Sequence, residues 1–222
     1  HVGGGQSNTI TMTTSGSYQV ICGGTSNAIS GTSTNGGFIG GGTTNSISAG
    51  NYNVLIGGAN NQITSTSDYN VICGGGSTTA ANRNTITGGQ QCFIGAGYNN
   101  IIKLTTQTGQ ASAIIAGYTN TIGGGGSNAV QCLIGTGNTN TIGDGSGHCI
   151  MAGASNNVNS FGTNNFIGSG NNNTIGTSSV SACFVGAGTN NSIATPGNSY
   201  SAVIAGRYNG ITGTSTNGYN FI

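Results

Sequence analysis

Charge is the first thing this chain of 222 residues lacks: Lys and Arg together number 3, Asp and Glu 2, so charged residues make up 2% of it, against roughly 25% in an average soluble protein. With so few cations there is no basic stripe to neutralise phosphates, which excludes electrostatic nucleic-acid binding. It equally excludes a polybasic or amphipathic membrane face. No apolar run approaches the ~20 residues a spanning helix needs, so membrane insertion is not expected. Tryptophan is absent and proline occurs once. No stretch shows the 3.6-residue periodicity and end caps of a helix. Glycine supplies 45 residues, and Asn, Ser and Thr fill most of the remainder. Such a composition can mark a disordered linker, but disorder goes with high net charge, and this chain carries +1.

What is present is a repeat. Asn8, Asn27, Asn45, Asn61, Asn84, Asn100, Asn120, Asn140, Asn156, Asn173, Asn191 and Asn209 recur about every eighteen residues, each followed two positions later by Ile or Val. A fixed period near 20 is the signature of a solenoid. Each repeat opens with an apolar doublet, read as Val20-Ile21, Phe38-Ile39, Leu55-Ile56, Val71-Ile72, Phe93-Ile94, Ile114-Ile115, Leu133-Ile134, Ile150-Met151, Phe166-Ile167, Phe184-Val185, Val203-Ile204 and Phe221-Ile222. A Gly-rich stretch follows, then Asn-x-Ile, then a polar return. In this reading Asn lies six positions after the second doublet residue in some repeats, and five after it where that residue is Ile56, Ile115, Met151 or Ile204. The long interval from Ile72 to Asn84 implies an extruded loop around Thr78–Arg83. Gly126–Val130 carries a spare Gly-rich Asn-x-Val stretch whose register stays open.

β-branched residues beside Gly, Asn and Ser favour short strands and tight turns. The expected fold is all-β: one domain, residues 1–222, forming a parallel β-solenoid (β-roll or β-helix) of about twelve coils, one repeat per coil. Asn and the following Ile, two apart on a strand, point the same way. Stacked Asn side chains are expected to form a ladder, amide to amide. Adjacent doublet residues face opposite sides, yet both are apolar. One column fills the core, and the other needs a cover. That outer column is read as Val20, Phe38, Leu55, Val71, Phe93, Ile114, Leu133, Ile150, Phe166, Phe184, Val203 and Phe221. Either the return segments fold over it or subunits associate along it; an exposed apolar stripe favours association. A chain this uncharged also has little colloidal protection as a monomer.

Units such as Phe38-Ile39-Gly40-Gly41-Gly42-Thr43-Thr44-Asn45-Ser46-Ile47 and Phe166-Ile167-Gly168-Ser169-Gly170-Asn171-Asn172-Asn173-Thr174-Ile175 resemble the head repeats of YadA-like trimeric autotransporter adhesins and related repeats of phage and giant-virus fibres. The resemblance covers essentially the whole chain. It implies a left-handed parallel β-roll, a trimer and an attachment role at a host surface. The chain departs from adhesin heads in its longer period and its cysteines. A start at His1 rather than Met suggests a piece of a longer fibre or a processed product.

Cys92, Cys132 and Cys183 directly precede a doublet, Cys149 precedes Ile150-Met151, and Cys22 and Cys73 directly follow one. No close pair suits zinc. They read as small buried residues in strand columns, matching Ala113 and Ala202. Cys132 and Cys149 fall in neighbouring coils of one column in this reading, so a disulfide is conceivable. Free buried thiols suit assembly in a reducing cytosol, which favours a virion fibre over a bacterial adhesin.

Catalytic signals are poor. Asp68 and Asp144, the only acids, are separated by about four coils, too far for a carboxylate pair. Asp144 and His148 lack a nucleophile at suitable spacing. The Gly triplets have no Walker lysine or strand–helix unit. No enzyme activity and no cofactor are expected. The expectation is a non-enzymatic structural or attachment fibre on a virion or cell surface, with itself as partner. Loop tyrosines and asparagines are candidates for host glycans. A self-assembling extracellular filament is the alternative. An ice-binding solenoid would need a regular Thr column, and the residue before each ladder Asn varies too much for that. Asn172 and Asn190 head the glycosylation sequons Asn172-Asn173-Thr174 and Asn190-Asn191-Ser192.

Overall fold

The structure, a computed structural model, describes residues 1–13, 18–31, 35–64, 68–105, 110–124, 129–176, 179–194, 200–212 and 219–222. The chain winds as a parallel β-solenoid with two long sheets. A 12-stranded sheet collects every Asn-x-Ile segment, from Thr9–Met12 to Gly210–Ile211, and an 11-stranded sheet collects the doublets, from Val20–Ile21 to Ala202–Val203. All pairings between neighbouring strands are parallel, and in the two long sheets the inner residues stack apolar on apolar, as in Ile47↔Ile63, Ile63↔Ile86 and Ile86↔Ile102. Ladder asparagines of adjoining turns lie 16 to 23 residues apart. The period varies because the return segments vary, while the strands keep their columns.

The core is thin. Each turn sends one apolar side chain inward from each sheet, such as Ile39 with Ile47 or Ile167 with Ile175, and these are fully buried. Each such burial contributes about 1.5–3 kcal/mol. β-branched side chains suit this arrangement because their restricted rotamers pack well on a pleated surface.

The structure corrects the doublet frame in four turns. The strands are Val54–Leu55, Ala113–Ile114, Cys149–Ile150 and Ala202–Val203. Leu55, Ile114, Ile150 and Val203 are therefore wholly buried core residues, not members of an outer stripe. Val54, Ala113, Cys149 and Ala202 take the outer places. In this frame those turns also have six positions between the inner residue and the ladder Asn, and the separate five-residue class disappears. The other outer assignments keep their places, from Val20 to Phe184, with Phe221 bridged to Ala202 at the same level.

Around Thr78–Arg83 the chain leaves the coil and makes a short 3-10 turn at Ala80–Asn82. It returns so that Asn84 still donates to Gly74 O at 2.9 Å. Of the spare Gly126–Val130 stretch, Ala129–Val130 forms a strand pairing in parallel with Gly145–Ser146; Gly126, Ser127 and Asn128 lie outside the described residues. Leu104, Ala129 and Val180 are buried with the core cluster. Through these residues the described return segments here add to the core.

Candidate functional site

Three features of the repeat could carry function: two buried ladders at the corners of the coil, and the outer face of the doublet sheet.

The ladder asparagines from Asn27 to Asn191 are fully buried; Asn8 and Asn209, at the two ends, are half-buried. The linkage is not amide to amide. Each Oδ1 accepts from the backbone N–H of the next ladder residue, as in Asn156 N to Asn140 Oδ1 at 3.0 Å. Each Nδ2 donates to a carbonyl upstream in its own turn, four residues back in every case but Asn84, which reaches Gly74 O ten residues back across the extruded loop. From Asn8 to Asn191 it also donates to a glycine carbonyl of the following turn; for Asn140 these acceptors are Thr136 O at 3.2 Å and Gly153 O at 2.9 Å. Only a few Nδ2–Oδ1 contacts join one side chain to the next, such as Asn191 to Asn173 at 3.1 Å. The side chain thus ties down the Gly-rich turn: it supplies a donor to the upstream carbonyl of its own turn and a second donor to a glycine carbonyl that already accepts a backbone N–H, as Gly153 O does from Asn138. The residue before the ladder Asn sits in left-handed backbone in most turns, for example Thr44 at φ 57 and Ser155 at φ 54. It occupies a corner, so it forms no outward Thr column. The outward columns of this sheet mix Thr85, Thr121 and Thr141 with Gln62, Ile101 and Gly210.

A second ladder, which the sequence reading missed, lies at the opposite corner, two residues before each inner doublet residue. Its members differ from turn to turn. Asn53 Oδ1 accepts from Asn70 N–H at 3.0 Å, and Asn70 Oδ1 from Cys92 N–H at 2.8 Å. Ser112 Oγ accepts from Cys132 N–H at 3.1 Å, and Asn165 Oδ1 from Cys183 N–H at 3.0 Å. His148 Nδ1 accepts from Asn165 N–H at 3.2 Å, while Nε2 faces Ser160 O at 3.2 Å. That pair fixes the neutral tautomer with hydrogen on Nε2. Burial pushes the Cys92 and Cys132 thiols up to about 11, against the opposing pull of the Ser112 and His148 backbone N–H groups. Burial likewise raises Cys183 and lowers His148. The thiols therefore stay protonated; Cys92 donates to Gln110 O at 3.2 Å. The constant offset from the inner residue could have revealed this column, but a change of residue type in each turn hides it.

The cysteines divide accordingly. Cys92, Cys132 and Cys183 belong to the buried ladder, and Cys22, Cys73 and Cys149 point outward. Cys149 pairs in register with Leu133, not Cys132. All six cysteines are free.

The outer face of the doublet sheet carries two apolar columns, one on each side of the inner residue. Their side chains compensate in size. Where the first is Phe or Leu the second is Gly: Phe38 with Gly40, Phe93 with Gly95, Leu133 with Gly135, Phe166 with Gly168 and Phe184 with Gly186. Where the first is small the second is large: Val54 with Ile56, Ala113 with Ile115, Cys149 with Met151 and Ala202 with Ile204. The phenyl rings lean over their glycines, so that a Cβ on Gly186 would lie 3.1 Å from Phe184 Cε1. Phe166 and Phe184 stack at 5.4 Å with planes 3° apart. Ile56, Ile115, Met151 and Ile204 are about half exposed. Neither column contains a charged residue from Val20 to Ile204. Lys103 ends a strand of the other sheet, Arg207 bridges to Thr189 at the Gly-turn corner, and Arg83 donates to Gln62 Oε1 at 2.8 Å. Asp144 is buried.

No protein-family model matches the chain, and no curated protein matches it.

Proposed function

We propose that this chain is a non-enzymatic structural rod, a fibre segment that associates with copies of itself through the outer face of the doublet sheet and serves in attachment at a virion or cell surface. The observation that carries the reading is that face: apolar, size-compensated and free of charge along its length. Eleven strands at ~4.8 Å and two outward columns, each ~6.7 Å wide, give a face of ~700 Å². A standard protein interface buries ~800 Å² per partner, and an exposed apolar patch of this size marks an interaction surface. The size compensation, present at nine of the eleven strands while Val20 with Cys22 and Val71 with Cys73 pair two mid-sized side chains, favours copies running parallel and in register around a common axis. A left-handed roll in a trimer is the form the adhesin and virus-fibre resemblance implies, and the repeat spacing makes it about twelve coils. Neutral host glycans are the proposed external partners.

The test is the native mass by light scattering, read alongside electron microscopy. A discrete rod of three times the 21.6 kDa chain is the expected result. A clean monomer at micromolar concentration would overturn the assembly reading, and open-ended polymers would replace it with a filament.

A further inference from the structure

The corner before the second ladder turns through left-handed backbone; some turns fill it with Gly36 (φ 63), Gly147 (φ 67) or Asn164 (φ 58), others with the small or flexible Ala182 (φ 54), Gln91 (φ 58) and Gln131 (φ 55). Tyr18 (φ 63), Tyr52 (φ 54), Tyr69 (φ 57) and Tyr200 (φ 65) occupy the same corner. A bulky aromatic at positive φ is an unfavourable choice where Gly or Asn would fit. Burial does not compensate for it, because Tyr52 is 53% and Tyr69 54% exposed. The two rings stack at 5.3 Å with planes 13° apart. The shelf they form extends over Gly36, where a Cβ would come within 2.7 Å of Tyr52 Cδ1.

A polar rail runs beside the shelf on the preceding residues. Asn51 Oδ1 accepts from Asn35 N at 3.1 Å and from Asn35 Nδ2 at 3.0 Å. Asp68 Oδ1 accepts from Asn51 N at 2.6 Å and from Asn51 Nδ2 at 3.2 Å. Strain kept at exposed, mutually stacked aromatics beside fixed amide and carboxylate groups points to a ligand.

We propose that the Tyr52–Tyr69 shelf, with Asn51 and Asp68, binds a neutral pyranose saccharide. The rings take its apolar C–H surface, and the rail takes its hydroxyls. Tyr presents rigid amphipathic area at low entropic cost. The Asp68 carboxylate disfavours anionic sugars, and no cation among the described residues accompanies it. The proposal rests on the attachment half of the reading above and is independent of the self-association half.

The experiment titrates the full chain with cellohexaose and N-acetyllactosamine, with 3′-sialyllactose as the anionic control, by calorimetry. The double variant Tyr52→Asn/Tyr69→Asn is compared with the parent, with native mass and thermal midpoint measured on both. The expected result is binding of a neutral probe that the variant weakens at least tenfold, at unchanged mass and with an equal or higher midpoint, since Asn suits positive φ. Failure of both neutral probes to bind the parent would overturn the saccharide proposal and leave the mass measurement to judge the rod. Undiminished binding by the variant would overturn it too. A lowered midpoint or a dissociated particle would instead assign the tyrosines to packing. Ring-proton shifts of Tyr52 and Tyr69 in the parent on adding sugar, with Tyr98 and Tyr118 as internal controls, decide the matter if the variant does not fold.

Discussion

Asn140 shows what one residue does in this fold. Its amide satisfies Asn156 N–H and Thr136 O, and adds a second donor to Gly153 O, which also accepts from Asn138 N–H at 3.0 Å. Leucine has similar volume and can satisfy none of them. Each buried group left without a partner costs about 1–3 kcal/mol, so Asn140→Leu is expected to destabilise the rod by roughly 3 kcal/mol. Solenoid energetics are nearest-neighbour in character, so the loss should be local. Hydrogen exchange should show the Asn156 amide losing protection while the Asn45 amide, several turns away, keeps it; equal protection at Asn156 would refute the linkage. His148 gives a pH dependence of definite sign. Burial lowers its pKa from the ordinary 6.5, so over the acidic side of neutrality the unfolded chain binds more protons than the folded one. Stability is then full above the unfolded value and falls as pH drops through the folded one. Protonating Nδ1 would also set it against Asn165 N–H. The denaturant midpoint should fall between pH 7 and pH 5, and His148→Asn, which restores the acceptor used at Asn53 and Asn165, should flatten that slope.

At the scale of the turn, the glycines divide into those the stack requires and those it merely tolerates. Gly42 has φ 88, and a Cβ there would lie 2.1 Å from Gly58 O in the next turn. Its neighbour Gly41 has nothing within 4 Å of such a Cβ and no positive φ. Gly42→Ala should therefore cost several kcal/mol, on the order of 3. Gly41→Ala should change stability by less than about 1 kcal/mol, possible gain included, because it only reduces unfolded-chain entropy. Paired thermal melts check both, and equal effects would contradict the stacking geometry. This contrast also marks what the sequence could reveal. Asn and Ile two apart share a face by strand geometry, so the ladder and its partner column were legible. The doublet frame was legible only where one apolar residue is flanked by Gly or Cys. In Val54-Leu55-Ile56 and Ala202-Val203-Ile204 three apolar residues run together, and hydropathy cannot say which one points inward. The spacing to the ladder Asn can. The second ladder escaped because Asn, Cys, Ser and His share only the ability to accept a backbone hydrogen bond.

For the whole molecule the decisive question is what covers the uncharged face. Phe166 lies on it, half-buried within the single chain, stacked on Phe184 and leaning over Gly168. Within one chain the substitution Phe166→Asp removes a modest apolar contact and sets a carboxylate at a position open to water, so each rod should fold with its midpoint lowered by only a few degrees. In a parallel assembly the same carboxylates are buried against one another. The desolvation and like-charge costs then recur in every copy, at several kcal/mol for each buried charge. The expected outcome is loss of the native particle mass to that of one chain, with the β-sheet circular dichroism retained. Substituting Lys103→Asp, an exposed change on the opposite sheet, should leave the mass unaltered. A Phe166→Asp protein that keeps the parental mass would place the interface elsewhere and leave the size-compensated columns as solvent-facing packing of each rod.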